Sequence, residues 1–136
     1  MVNRTQFVAV VDDDESVRRA LKRLLNSVGV EAETFPGSEA FLDTLSSATA
    51  FVPACAIVDL QMPVIDGLEL QRRMVGTGVP IIFLTGNDDP AVRAKALAQG
   101  AAGFLTKPLD GAVLIRTLQT TLGLRDLPPS DSPNSR

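Results

Sequence analysis

Short apolar runs alternate with segments of helical periodicity along most of the chain, and this alternation restricts the fold more than any other feature. The predicted strands are residues 6–12, 31–35, 54–60, 80–85 and 102–106. The predicted helices are residues 15–29, 38–45, 67–74, 90–100 and 110–123. Strands that alternate with helices in this way form a parallel sheet with helices on both faces. The sequence therefore predicts a single α/β domain with a doubly wound, five-stranded parallel sheet.

The first predicted strand and helix show how these segments are recognised. The run "FVAVV", residues 7–11, is short and rich in valine, which is typical of a strand buried on both faces. The helix after it has its apolar residues on one stripe and its basic residues opposite. The stripe comprises Val17, Leu21, Leu24, Leu25 and Val28. Gly29 occupies the position just past the helix end, where glycine is favoured.

Length and charge exclude several classes of protein. A chain of 136 residues is enough for one domain and its core. It contains neither a run of about eighteen apolar residues nor a leader pattern, so we expect a cytoplasmic protein with no membrane segment. The net charge of −3 provides no basic surface for nucleic acid. We therefore expect no direct nucleic-acid contact by this domain.

The missing residue types restrict the chemistry further. Histidine is absent, which excludes Ser-His-Asp and Cys-His nucleophile systems. Cys55 is the only cysteine, so an internal disulfide and a cysteine–histidine metal cluster are also excluded. Its place in the apolar run "ACAIVDL" indicates a small buried hydrophobe. Carboxylates must therefore carry any chemistry.

Carboxylates gather at the ends of two predicted strands. Asp12 and Asp13 follow the first strand in "VVDDDES", and Asp59 ends the third. Because ligands of parallel sheets bind at the carboxyl ends of the strands, we expect these side chains to meet there. Carboxylates about 5 Å apart repel each other by about 3 kcal/mol per pair, and a divalent cation among them offsets this. Oxygen ligands suit Mg²⁺, with Mn²⁺ able to replace it. Asp14 is better explained as a helix cap.

Two further strands end in polar residues of a different kind. "FLTGNDDP" places the hydroxyl of Thr85 beside Gly86, which leaves room for a ligand. "GFLTKPLD" places Lys107, a compact positive charge, at the end of the fifth strand. Pro108 allows a cis peptide bond after that lysine. The loop "DLQMPVIDG", residues 59–67, contains a proline and an Asp-Gly turn that redirect the chain around Asp59.

In this order, these four motifs resemble the receiver domain of two-component response regulators. The resemblance covers residues 6 to about 123, and the segments "SEAFLDTL" and "LTGNDD" are similar to the FixJ-type subgroup. It implies a flavodoxin-like fold with strand order 2-1-3-4-5. It also implies a receiver in residues 1–123. Residues 124–136 are rich in proline and serine, and this composition predicts a flexible linker or disordered tail.

The resemblance also implies a role for each candidate residue. Asp59 would accept a phosphoryl group from a sensor histidine kinase, and Thr85 and Lys107 would contact the phosphoryl oxygens. Mg²⁺ would be held by Asp12, Asp13, Asp59 and the backbone carbonyl of Gln61. The Lys107–Pro108 peptide bond would be cis. Thr85 and Phe104 would form the conformational switch, although the strand position of Phe104 also fits a permanently buried ring.

The implied function is regulation rather than enzymatic turnover. The receiver would assist its own phosphorylation and dephosphorylation and would control an output domain or partner, most often in transcription. Phosphorylation would favour a homodimer through the face formed by the fourth helix, fifth strand and fifth helix. Gln61, Asn87 and Leu109 stand where the family or subgroup varies, and they bear on the lifetime of the phosphorylated state.

Three other functional interpretations fit the sequence less well. A haloacid-dehalogenase-type hydrolase would use Asp12 as its nucleophile, but Glu15 and Ser16 then follow, and no acidic pair ends a strand after Lys107. A nucleotide-binding switch would need GxxxxGK[ST] or GxGxxG, and neither occurs. A degenerate receiver that only binds partners would lack one or more of the key side chains at the four strand ends, and all are present.

Overall fold

The computed structural model describes residues 7–47 and 52–123, and within them the chain alternates strand and helix throughout. The strands are β1 (Phe7–Val11), β2 (Glu31–Phe35), β3 (Cys55–Asp59), β4 (Ile81–Thr85) and β5 (Gly103–Thr106). The helices are α1 (Glu15–Ser27), α2 (Ser38–Ser47), α3 (Gly67–Arg73), α4 (Pro90–Ala98) and α5 (Gly111–Leu122). All ten predicted elements are confirmed. Residue 6 and the predicted tail, 124–136, lie outside the described residues.

All five strands are parallel and lie in the order β2-β1-β3-β4-β5, which confirms the fold class. Strands β1 and β3 are neighbours although β2 separates them in sequence, so the order reverses beside β1. Val11 pairs with Val58, and Asp59 pairs with Leu84. This register places the residues that follow β1, β3 and β4 at one edge of the sheet.

The core forms two layers, one on each face of the sheet. Alternate residues of a strand point to opposite faces. Val8 and Val10 pack in the layer beneath α1 and α5, whereas Ala9 and Val11 pack in the layer beneath α2, α3 and α4. Cys55 is fully buried, as predicted, and burial raises the pKa of its thiol to about 12. No helix in the described part of the chain is long and apolar enough to cross a membrane.

Four helices begin at an aspartate that caps their first turn. The caps of α1, α3, α4 and α5 are Asp14, Asp66, Asp89 and Asp110. Each carboxylate accepts hydrogen bonds from backbone N–H groups that have no partner within the helix. Many of the acidic residues near the carboxyl edge of the sheet therefore have a structural role.

The predicted helix boundaries were wrong by one to two residues at several ends. Helix α1 ends at Ser27 rather than at residue 29, because Val28 is the cap residue and Gly29 adopts a positive φ of 81°. Helix α4 ends at Ala98, before Gly100 at φ 99°. The apolar stripe of α1 continues into its cap, where Val28 is buried, so periodicity alone extends the helix too far.

Candidate functional site

An acidic cluster lies where β1 and β3 end. One carboxylate oxygen from each of Asp12, Asp13 and Asp59 lies within 4.8 Å of the other two. Asp12 and Asp59 are only 1% and 4% exposed, whereas Asp13 is exposed to solvent. The structure therefore brings together the three carboxylates that the sequence predicts to meet.

Asp12 is fixed by contacts on every side. Its backbone N–H donates to the Phe35 carbonyl at 3.1 Å, and its carbonyl accepts from the Arg18 guanidinium at 2.8 Å. Its Oδ1 accepts from the Asp14 N–H at 2.8 Å. Its Oδ2 lies 3.2 Å from Lys107 Nζ but has no aligned hydrogen-bond donor among the described residues. This buried, under-satisfied oxygen suits a cation ligand.

Asp59, the buried carboxylate that β3 contributes to the cluster, lies in an environment that opposes its charge. Burial, followed by the negative charge of Asp12, raises the pKa of Asp59 to about 6. The Gln61 N–H, which donates to Asp59 Oδ1 at 3.2 Å, and the Lys107 ammonium act in the opposite direction. The ionised form of Asp59 is therefore unfavourable in the metal-free protein, and a bound cation would stabilise it.

Lys107 faces both buried carboxylates. Its Nζ lies 3.2 Å from Asp12 Oδ2 and 3.7 Å from Asp59 Oδ1. Burial alone would lower the pKa of Lys107, but the charges of Asp12 and Asp59 outweigh it and raise that pKa above its ordinary value. The Lys107 N–H donates to the Thr85 carbonyl at 2.8 Å, and the Lys107–Pro108 peptide bond is cis, as the family resemblance implies.

The Thr85 hydroxyl is buried and bonded to its own loop. Its Oγ1 donates to the Asn87 carbonyl at 3.0 Å and accepts from the Asn87 N–H at 3.0 Å. Thr85 also lines a cavity of about 170 Å³ with Leu60 and Gln61, the two residues that follow Asp59. The hydroxyl therefore lies beside the Asp59 loop while its proton is engaged elsewhere.

Phe104 on β5 is half-buried rather than fully enclosed. Its ring centroid lies 6.3 Å from that of Phe83, which is fully buried. The Arg93 guanidinium carbon lies over the Phe104 ring, 5.2 Å from its centroid. In the register, Phe83 pairs with Phe104 and Thr85 with Thr106, so Thr85 and Phe104 are diagonal neighbours on adjacent strands.

Asp14 caps α1, as predicted. Its Oδ1 accepts from the Ser16 N–H at 2.9 Å and from the Ser16 hydroxyl at 2.7 Å. These two hydrogen bonds lower the pKa of Asp14. Asp14 is exposed, and its carboxylate is directed to the helix rather than to the cluster.

The loop after β3 contains two features that sequence reasoning did not assign. A Cβ built on Gly67 would lie 2.8 Å from the Leu60 Cα and 2.9 Å from the Asp59 carbonyl oxygen, so only glycine fits there. The Ser38 hydroxyl, buried at the start of α2, donates to the Ile65 carbonyl at 3.0 Å. The absence of a side chain at Gly67 lets the loop pack against the end of β3, and the Ser38 hydrogen bond ties the same loop to the start of α2. The Asp-Gly dipeptide indicated the turn at Gly67, and no sequence signal indicated the role of Ser38.

The chain matches the family model of the response regulator receiver domain over residues 8–119. It belongs to the response regulator receiver family. Receiver domains are regulatory modules of two-component systems, which pair them with sensor histidine kinases, and they bind Mg²⁺ at an acidic pocket. The cluster of Asp12, Asp13 and Asp59 could hold such an ion.

The curated proteins similar to this chain include response regulators and transcriptional regulators. The chain is 33% identical to the response regulator protein TodT of Pseudomonas putida over 135 residues, which is 98% of this chain and 58% of TodT. It is 38% identical to the transcriptional regulatory protein FixJ of Azorhizobium caulinodans over 121 residues, 85% of this chain and 54% of FixJ. This receiver thus spans little more than half the length of these curated relatives.

A solved receiver has nearly the same extent. The crystal structure of a response regulator receiver protein from Burkholderia phymatum is 49% identical and superposes with a TM-score of 0.82. The match covers 89% of this chain and 98% of that one. The fold of the described residues is therefore that of a receiver domain.

Proposed function

We propose that Asp59 accepts a phosphoryl group from a sensor histidine kinase, and that the modified receiver switches an output domain or partner. The observation that supports this most is the position of Asp59, buried between Asp12 and Lys107 at the carboxyl end of β3. One Asp59 carboxylate oxygen would form a bond to phosphorus as the bond from phosphorus to the donor breaks. Lys107 and Thr85 would contact the transferred oxygens, since this chemistry depends on positioning and charge neutralisation.

The residues present fit a hard divalent cation. All the side-chain ligands are carboxylates, and Asp12 Oδ2 is buried without an aligned donor in the described part of the chain. We assign Mg²⁺, or Mn²⁺ in its place, to Asp12, Asp13, Asp59 and the Gln61 carbonyl. When bound, the ion would neutralise negative charge on the phosphoryl oxygens. The same residues would assist both phosphorylation and the later loss of the phosphoryl group.

The proposed switch couples Thr85 to Phe104. The phosphoryl group adds negative charge and acceptor oxygens, which draw the Thr85 hydroxyl towards Asp59. Phe104 then turns inward from its half-buried position. Changing a population from about 1:99 to 99:1 requires about 5.5 kcal/mol, and one charge-assisted hydrogen bond supplies about 1.5–3 kcal/mol. Thr85 alone is therefore insufficient, and Lys107 must contribute.

The names and lengths of the similar proteins support a proposal for what the receiver regulates. Several are named transcriptional regulators and are longer than this chain. We propose that residues 1–123 form the receiver and that 124–136 are a linker. The regulated output domain or partner, rather than the receiver, would contact DNA. The face formed by α4, β5 and α5 would pair with a second copy after phosphorylation. The receiver would act in the cytoplasm.

Labelling with a small phosphodonor tests the phosphoacceptor directly. Incubation with acetyl phosphate and Mg²⁺ is expected to add one base-labile phosphoryl group to the wild-type protein. Asp59→Asn and an excess of chelator are each expected to abolish this labelling. Asp66→Asn, which alters an exposed cap, should label normally. Undiminished labelling of Asp59→Asn would refute the assignment.

Asp13 and Asp14 are expected to differ sharply in their effect on metal affinity. Asp14→Asn should leave the Mg²⁺ dissociation constant within a few-fold of wild type, because asparagine caps a helix about as well as aspartate. Asp13→Asn should weaken binding much more, since Asp13 supplies an oxygen to the cluster. Titration calorimetry measures both constants. Equal losses of Mg²⁺ affinity at the two positions would show that the roles of Asp13 and Asp14 have been misassigned.

A further inference from the structure

We propose that Arg93 is a positioning residue that connects the loop after Thr85 to the Phe104 ring. This inference rests on the proposed function, because it concerns how phosphorylation of Asp59 reaches the α4–β5–α5 face. The loop comprises residues 86–89, between β4 and α4. Arg93 lies one turn into α4 and contacts both this loop and β5.

The first step is a competition for one proton. The Thr85 hydroxyl has a single proton, and it is donated to the Asn87 carbonyl. If that hydroxyl turns to a phosphoryl oxygen, the Asn87 carbonyl loses its donor. The loop is then released at the residue next to Asp88. Movement of Thr85 therefore changes the loop as well as the space beside Phe104.

The second step runs through a charge pair. The Arg93 guanidinium is ion-paired with the Asp88 carboxylate, and both side chains are nearly half exposed. Such a pair is weak because water screens it, so a displaced loop can break it. Arg93 Nε is buried and has no acceptor among the residues that the structure describes. A buried donor without an acceptor is unfavourable, so an arrangement of Arg93 that gives Nε an acceptor would be favoured.

The third step is the contact with the ring. The Arg93 guanidinium lies 5.2 Å from the Phe104 centroid, within the range of a cation–π interaction. Both residues line a cavity of about 340 Å³ with Pro108, Asp110 and Val113. Asp88 thus holds Arg93 over Phe104 in the resting state. When the loop moves, Arg93 leaves the ring and the surface of β5 and α5 changes.

Ring signals of labelled phenylalanine test this connection, because the chain has only six phenylalanines. The Phe104 signal is assigned by its loss in Phe104→Leu, and beryllofluoride with Mg²⁺ serves as the phosphoryl mimic. Fluorine NMR of the bound mimic reports its occupancy at Asp59 separately. At equal occupancy, the shift of the Phe104 signal is expected to fall to less than half of the wild-type shift in Arg93→Ala and in Asp88→Asn.

Two controls distinguish a specific role of the Arg93 guanidinium from a general effect of positive charge on α4. Lys95→Ala removes a positive charge from the exposed face of α4, at a residue with no ion pair in the described segments, and should retain the full shift. Arg93→Lys keeps the charge without the planar fork and should give an intermediate shift. A full shift in either Arg93→Ala or Asp88→Asn at equal occupancy would overturn the connection. No bound mimic in the wild type would overturn the proposed function as well.

Discussion

Asp59→Asn is expected to stabilise the metal-free protein above pH 6 by about 3 kcal/mol. The pKa of Asp59 is raised from 3.8 to about 6, and one unit corresponds to about 1.4 kcal/mol. Well below pH 4 the carboxyl group is protonated in both the folded and the unfolded protein. As the pH rises towards 6, the unfolded chain ionises first, so the wild-type protein loses stability. Asparagine carries no charge and avoids that loss.

Denaturant unfolding at several pH values, with chelator present, measures this effect. The free energies of unfolding of Asp59→Asn and of wild type should be similar at pH 3, diverge as the pH rises to about 6, and differ by a constant amount above. The control Asp66→Asn alters an exposed cap, where asparagine is equivalent, and should match wild type at pH 7. A variant that is less stable than wild type at pH 7 would contradict the strained environment of Asp59.

Gly67→Ala is expected to destabilise the protein by about 3 kcal/mol, the upper part of the usual range for overpacking. The new Cβ would lie 2.8 Å from the Leu60 Cα, 2.9 Å from the Asp59 carbonyl oxygen and 3.1 Å from the Phe83 ring. Two of these atoms belong to the backbone and cannot yield by rotating a side chain. In a helix, alanine is otherwise preferred to glycine by about 1 kcal/mol. The substitution is therefore expected to destabilise the protein only because of the clash.

Gly37→Ala is the matched control for this substitution. A Cβ on Gly37 would meet no atom of the described residues within 4 Å, and no positive φ is required there. Its free energy of unfolding should stay within about 1 kcal/mol of wild type, since replacing an unstrained glycine mainly reduces the entropy of the unfolded chain. A loss in Gly67→Ala no greater than in Gly37→Ala would contradict the close packing of the loop against β3.

The meeting of Asp12, Asp13, Asp59 and Lys107 could be predicted because it depends only on topology. Each follows or ends a parallel strand, and parallel strands place those ends at one edge. The exact helix ends could not be predicted, since Val28 continues the apolar stripe of α1 after the helix has ended. Periodicity reports which face is buried, not which residue last forms a helical hydrogen bond.

The supporting contacts of the site were not predictable for a different reason. Arg18 donates to the Asp12 carbonyl, Ser38 to the Ile65 carbonyl, and Arg93 stacks on Phe104. In the sequence, each is an ordinary polar residue of a helix. Their roles depend on the side-chain rotamer and on the distance between a helix and the neighbouring loop or strand. Neither quantity is encoded in the spacing of apolar residues.

Locating the phosphoryl group within the chain tests the central claim most directly. After reaction with acetyl phosphate and Mg²⁺, borohydride reduces an aspartyl phosphate to homoserine, and peptide mass spectrometry identifies the altered position. We expect homoserine at position 59 and an unchanged peptide containing residues 12–14. Homoserine at position 12 instead would contradict the phosphoacceptor assignment and would match the nucleophile of a haloacid-dehalogenase-type hydrolase.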